Sequence, residues 1–306
     1  MGYIHNNLII DGISLRNWKG WKFVETIKNW WSNQLSVGVK FVLLVLLANG
    51  LPAFIILMSV PNLTEQLFVW TINPEINARL IGVMYGNALL LVGFAAFQTS
   101  WARVRVIMVV ITLFSVLATL LTFFYLKPFL AHPWFHLAYW LTMYIVLFFA
   151  APYVFITHER NYGGKLPIQL PLTVAARMLA TVSLIISLIC GLALLFAIDA
   201  VNQVLPWTLP PLVGGLIGVL LITHTAAYAW ALWDGDWLRV RPIFWQAPPT
   251  GILLFLLPLI HFSDLREGGA SNLVFYLALT GLFVLLYLGL VLRYRTVERG
   301  VPSYGS

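Results

Sequence analysis

Eight stretches of this chain each run for about twenty residues with scarcely a charge, and that pattern leaves few ways for it to fold. A bilayer hydrocarbon core of about 30 Å is crossed by about 20 apolar residues in a helix. Such runs occupy roughly 36–60, 79–98, 104–126, 134–157, 174–198, 210–233, 242–262 and 272–292. Backbone polar groups in hydrocarbon must be satisfied within their own segment, so each run is expected to be a helix. With 60% of its 306 residues hydrophobic and 9% charged, the chain carries more apolar surface than a soluble domain could hide. The expected fold class is an all-α integral membrane protein with eight transmembrane helices.

The net charge of +7 would point to nucleic acid in a soluble protein. Here its distribution has a simpler cause, and no nucleic-acid partner is expected. If the N-terminus is cytoplasmic, only Arg79, Lys127 and Arg266 of the eighteen Lys and Arg residues fall outside. The positive-inside rule then places both termini in the cytoplasm, with the chain in a bacterial cytoplasmic (inner) membrane. The opening residues lack the apolar core of a cleavable signal.

Most of the stretch from Trp70 to Ile107 recurs later. Trp70-Thr71-x-x-Pro74, Leu80-Ile81-Gly82-Val83 and Trp101-x-Arg103-Val104-Arg105-x-Ile107 return as Trp207-Thr208-x-x-Pro211, Leu216-Ile217-Gly218-Val219 and Trp237-x-Arg239-Val240-Arg241-x-Ile243. The register is 137 residues at the Trp-Thr pairs and 136 from Leu80 onward. Four spans per copy is an even number, so both copies enter the membrane in the same direction and form two parallel four-helix repeats. The expected organisation is an N-terminal segment over 1–35, repeat 1 over 36–160, a linker over 161–173, repeat 2 over 174–296 and a tail over 297–306. Residues 17–35 read as an amphipathic interfacial helix: Phe23, Val24, Ile27, Trp30, Trp31 and Leu35 share one arc opposite Lys22, Glu25 and Asn29. Trp70 is expected at the membrane interface, where an amphipathic ring is well placed.

The pattern Trp70-Thr71-Ile72-x-Pro74 followed by Leu80-Ile81-Gly82-x-x-Tyr85 resembles a stretch of a family of uncharacterised bacterial polytopic membrane proteins. The resemblance implies a multi-span bundle and assigns no catalytic or binding residue.

Candidate site residues are few. In the shared register Thr223 stands where Asn87 stands, and His224 where Ala88 does. Glycine-bearing spans two and six, placed near the repeat axis, would bring Asn87, Thr223, His224 and Tyr228 together at mid-depth, with Asn49 as a further member of an intramembrane pocket. An ionisable group at that depth is a functional-site hypothesis by default. Breaks are expected at Asn49-Gly50-Leu51-Pro52 and Ala247-Pro248-Pro249-Thr250-Gly251, where proline removes backbone donors. Arg103, Arg105, Arg239 and Arg241 are candidates for contact with anionic lipid headgroups. His132 and His136 share a helical face, but Pro133 lies between them and no third ligand is near, so no metal site is expected. Cys190, the one cysteine, reads as a small core residue.

No P-loop, nucleophile elbow or His-Glu-x-x-His motif is present, and no carboxylate falls deep in a span. The expectation is therefore a non-enzymatic accessory or structural subunit of a larger membrane assembly, partnered by lipids and other subunits. The alternative is a transporter or lipid-handling protein with a site between the repeats. A third reading has haem or a chlorophyll-type pigment bound through His224, although no cofactor is predicted outright.

Overall fold

The computed structural model describes residues 35–298. The expected N-terminal interfacial helix and the end of the tail lie outside the described residues. The described chain is helical, and it has eight helices long and apolar enough to cross a membrane. It is a multi-pass membrane protein. The spans are α1 (Val37–Ser59), α2 (Glu75–Ala96), α3 (Trp101–Phe124), α4 (Trp134–Tyr162), α5 (Val174–Phe196), α6 (Pro211–Asp234), a seventh made of α7 (Trp237–Trp245) and α8 (Ala247–Ile260), and α9 (Ala270–Glu298).

Local chemistry sets the helix ends. The Ser36 hydroxyl accepts from the Val39 N–H and the Thr173 hydroxyl from the Ala176 N–H, capping α1 and α5. Asp236 does the same for α7 by accepting from the Leu238 N–H. Between α6 and α7 the chain turns at Gly235 with φ 71°, a left-handed conformation that costs a residue with a Cβ about 1 kcal/mol. Two boundaries differ from expectation. Trp101 and Trp237 each open a helix, so the paired arginines sit on the first turns of α3 and α7 and not in the connecting turns.

The two expected breaks behave differently. α1 runs unbroken through Asn49 to Pro52, with Pro52 held inside the helix. Membrane helices tolerate proline in this way, at the loss of one intrahelical donor. The seventh span does break, at Gln246. Pro248 and Pro249 fall in the first turn of α8, where their missing N–H groups would have no helical partner anyway.

Neighbouring spans pack as the pairs α1–α2, α3–α4, α5–α6 and α8–α9, while α3 packs on α6 and α2 on α8. Gly82, Gly86 and Gly218 serve the pairs and Gly215 faces Leu121 of α3, so these glycines do not make a contact between spans two and six. A Cβ on Gly218 would stand 2.9 Å from the Gly191 carbonyl oxygen, so α5 and α6 touch backbone to backbone. Gly82 and Gly86 similarly lie against Met58 and Phe54 of α1.

Trp70 is buried at 3% exposure, which corrects its interfacial expectation, and Trp207 is buried at 1%. Trp70 packs on Phe68, Phe129 and Trp140 at centroid distances of 4.8, 5.2 and 5.4 Å, and Trp207 on Tyr276 at 5.2 Å. The loops that carry them fold back over the bundle end and are tied together. The Asn77 side-chain amide donates to the Thr208 carbonyl at 3.1 Å, and the Ile76 N–H to Asp264 at 3.2 Å. Cys190 is exposed on the apolar surface of α5 and is not a core residue. Trp207→Ala is expected to destabilise the protein by about 3 kcal/mol, against about 0.5 kcal/mol or less for the exposed Trp134→Ala. Denaturant unfolding in detergent measures both.

Candidate functional site

The centre of the bundle holds a polar cluster built by three helices. Asn87 lies on α2, His224 on α6, and Thr250 on the first turn of α8, just past the break at Gln246. The Asn87 side-chain nitrogen lies 3.2 Å from His224 Nε2, and the Thr250 hydroxyl donates to Asn87 Oδ1 at 3.1 Å. His224 Nδ1 lies 2.9 Å from the Leu220 carbonyl oxygen. A carbonyl only accepts, so Nδ1 carries the proton, and Nε2 accepts from the Asn87 amide. Every bond of the cluster then joins one donor to one acceptor, with a neutral imidazole.

The five residues expected to converge do not all meet. Asn87 and His224 bond directly. Asn49 lines the same cavity from α1, where its Oδ1 accepts from the Tyr139 hydroxyl. Thr223 is fully buried but donates to the Val219 carbonyl of its own helix at 2.8 Å. Tyr228 belongs to another chain of hydroxyls: it accepts from Tyr287 at 2.8 Å, and Tyr287 meets Ser183 at 2.7 Å. Thr250 and Gln246 were missed in the sequence because their prolines read as a helix break and not as a helix start.

The cavity encloses about 100 Å³ between α1, α2, α3, α4 and α6. Apolar and aromatic groups such as Met84, Phe114, Trp140, Met143 and Leu216 form its walls. The Asn87–His224 pair lies on one side and the Asn49–Tyr139 bond on another, where Tyr139 is 52% exposed on the apolar surface.

Two of the four arginines proposed for headgroups are withdrawn from them. Arg105 is 1% exposed and ion-paired to Asp234, with Glu159 at 3.6 Å. Arg239 is 6% exposed and holds Asp234 at 2.7 Å and Asp236 at 2.9 Å. This corrects their assignment to headgroups, because charges enclosed by protein need partners there. The Arg105 guanidinium also lies 5.4 Å from the ring centres of both Trp230 and Trp233. Arg103 is exposed, and Arg241 pairs with Glu298 at 3.1 Å. His132 Nε2 accepts from the Thr71 N–H at 3.0 Å, which ties it to the loop, and its ring lies 5.9 Å from that of His136. Among the described residues no group of three His, Cys, Asp or Glu side chains is placed to hold a metal.

No family model matches the chain, and the searches of curated proteins and solved structures found no match either.

Replacing Asn87 by Leu strands both Nε2 of His224 and the Thr250 hydroxyl, at an expected cost of about 1–2 kcal/mol. In a double-mutant cycle with His224→Leu, the expected coupling is about 0.6–1.7 kcal/mol, read from unfolding midpoints. Asp234→Asn leaves two buried guanidinium groups under-compensated and is expected to cost about 3–5 kcal/mol in the same assay.

Proposed function

We propose that this protein is a non-enzymatic lipid-handling or transport protein whose central cavity takes an apolar chain entering sideways from the bilayer. The observation that carries the reading is the cavity itself: apolar walls, one neutral polar patch at Asn87–His224, and an edge at Asn49–Tyr139 among exposed apolar side chains. Its volume of about 100 Å³ is below the roughly 150 Å³ of a cavity that admits benzene. It suits the end of a chain more than a whole lipid.

The scaffold of this reading is two parallel four-helix repeats related by an axis along the membrane normal. Equivalent contacts support it. Trp140 and Tyr276 correspond in the 136-residue register, and each packs on its own copy of the Trp-Thr tryptophan. Trp101 Nε1 donates to Glu159, which lies beside Arg105. Trp237 Nε1 donates to Glu298, which pairs with Arg241. The packing of α3 on α6 matches that of the seventh span on α2 under the same exchange. The Trp-x-Arg-x-Arg ends are assigned to the cytoplasm by the positive-inside argument.

Haem or pigment ligation finds less support, since both ring nitrogens of His224 already have partners. The accessory-subunit reading has no observation of its own. The exposed apolar faces of α5 and α9 suit acyl chains as well as a neighbouring subunit, because lipid tails are as apolar as leucine.

A phospholipid with a photoactivatable group near its chain end tests the proposal in nanodiscs. Label is expected on cavity peptides carrying Ala88 and Met143. Ala88→Phe, which fills the cavity at a stability cost of about 1–3 kcal/mol, is expected to remove most of it. Labelling confined to the lipid-facing sides of α5 and α9, or unchanged by Ala88→Phe in folded protein, would refute it.

A further inference from the structure

A second pocket, of about 300 Å³, opens between α2, the α7–α8 break and α9. Leu90, Phe94 and Val291 form apolar wall, Trp245 and Gln246 lie at the break, and Arg295 stands at the edge. Gln246 is 4% exposed, yet its Oε1 has no hydrogen-bond partner. The Gln246 backbone carbonyl accepts from the N–H of Thr250 at 3.2 Å, and the Thr250 hydroxyl bonds Asn87, so the pocket and the central cluster are adjacent. Arg295 is exposed and forms no ion pair among the described residues.

The repeat register says what this pocket lacks. Arg105, Trp230 and Asp234 correspond to Arg241, Phe94 and Gln98. The ring contacts agree, with the Arg105 guanidinium 5.4 Å from the Trp230 centroid and that of Arg241 5.7 Å from Phe94. Each arginine also has the glutamate at the end of a long helix, Glu159 or Glu298. Only the first has the buried aspartate. At the second place a neutral amide, Gln98, donates to the Phe94 carbonyl at 3.2 Å; the Nε of both arginines is buried with no partner, so the aspartate is what separates the two places. Arg241 rests on Trp245, 4.6 Å from its ring centre, and Trp245 lines the pocket. The charge beside the pocket is two guanidinium groups against the single carboxylate of Glu298.

We infer that this pocket binds the phosphate-bearing headgroup of an anionic lipid, with Arg295 and Arg241 supplying the charge that Asp234 neutralises in the other half. The apolar wall formed by Leu90, Phe94 and Val291 receives the start of the chains. A phosphate shares its chemistry with soluble phosphate esters; the membrane setting of the pocket and its apolar wall favour the lipid.

Full-length protein in detergent, stripped of lipid and titrated with phosphatidylglycerol or with phosphatidylcholine of the same chains, tests this by native mass spectrometry. Preferential retention of phosphatidylglycerol is expected. Arg295→Gln should weaken it about five-fold, the usual scale for one arginine at a membrane surface. Gln98→Asp should weaken it similarly while removing no pocket residue, because it gives Arg241 the missing carboxylate. Equal retention of the two lipids, or phosphatidylglycerol retention unchanged in Arg295→Gln, would overturn the inference. Arg295→Gln changes an exposed side chain, so the test survives a failure of Gln98→Asp to fold. Displacement by glycerol 3-phosphate alone would overturn the lipid as occupant and support a soluble ester. Photolabelling of the central cavity should be unchanged in Arg295→Gln, so the two sites can fail separately.

Discussion

The ion cluster around Asp234 is the interaction on which the arrangement of the two halves depends. One carboxylate at the end of α6 meets Arg105 from α3 and Arg239 from α7, and Asp236 balances Arg239 from the other side. The same guanidinium groups reach the linker between the halves: Arg105 donates to the Gly164 carbonyl and Arg239 to that of Pro167, each at 2.8 Å. Backbone bonds from Leu172 to Gly235 and from Trp237 to Leu170, at 2.9 and 2.8 Å, complete the seam. A buried pair of this kind need not exceed an apolar replacement in stability. Its effect is to fix which residues meet, because any other register leaves a guanidinium unpaired in a low dielectric. The linker, α3 and the α6–α7 turn are therefore positioned together, with the backbone turning left-handed at Gly164 and at Gly235.

The central cluster follows the opposite strategy. Asn87, His224 and Thr250 satisfy one another without a charge, so the desolvation cost at mid-depth stays small and each bond contributes only modestly. Such a network can be reopened by a polar ligand group at little expense, whereas the Asp234 cluster cannot. That difference separates a place suited to binding from a place suited to holding the scaffold.

Hydropathy located all eight spans, because bilayer thickness dictates their length and leaves the backbone no alternative to helix. The same logic failed at Trp70: an aromatic near a proline at a span end looks alike whether the ring meets headgroups or a loop folds it inward. Arg105 was misread for a related reason. Its carboxylate partner is 129 residues away on another helix, and only packing brings the two together. The pairing of Asn87 with His224 was partly legible, since the register showed His224 replacing Ala88 beside the position of Asn87. The role of Thr250 was not, because Pro248 and Pro249 signal a break without saying that a new helix begins there.

The proposed repeat offers a reason why polar groups collect where they do. On the proposed two-fold scaffold each side chain would be presented twice, so an unpaired polar group near the axis would be doubled at twice the cost. Where the copies agree, as in the Trp–Glu bonds of Trp101 and Trp237, the partners are internal. At four positions where they differ, one copy supplies a polar group and the other an apolar or neutral one: His224 against Ala88, Thr250 against Phe114, Gln246 against Val110, Asp234 against Gln98. The first three substitutions place a polar set at the centre on one side only, leaving the aromatic counterpart Phe114 to line the cavity. The fourth closes one arginine and leaves its counterpart short of a carboxylate. Departure from symmetry thus creates an apolar space, a neutral polar patch and an incompletely balanced cation within one scaffold, the combination an amphiphile requires.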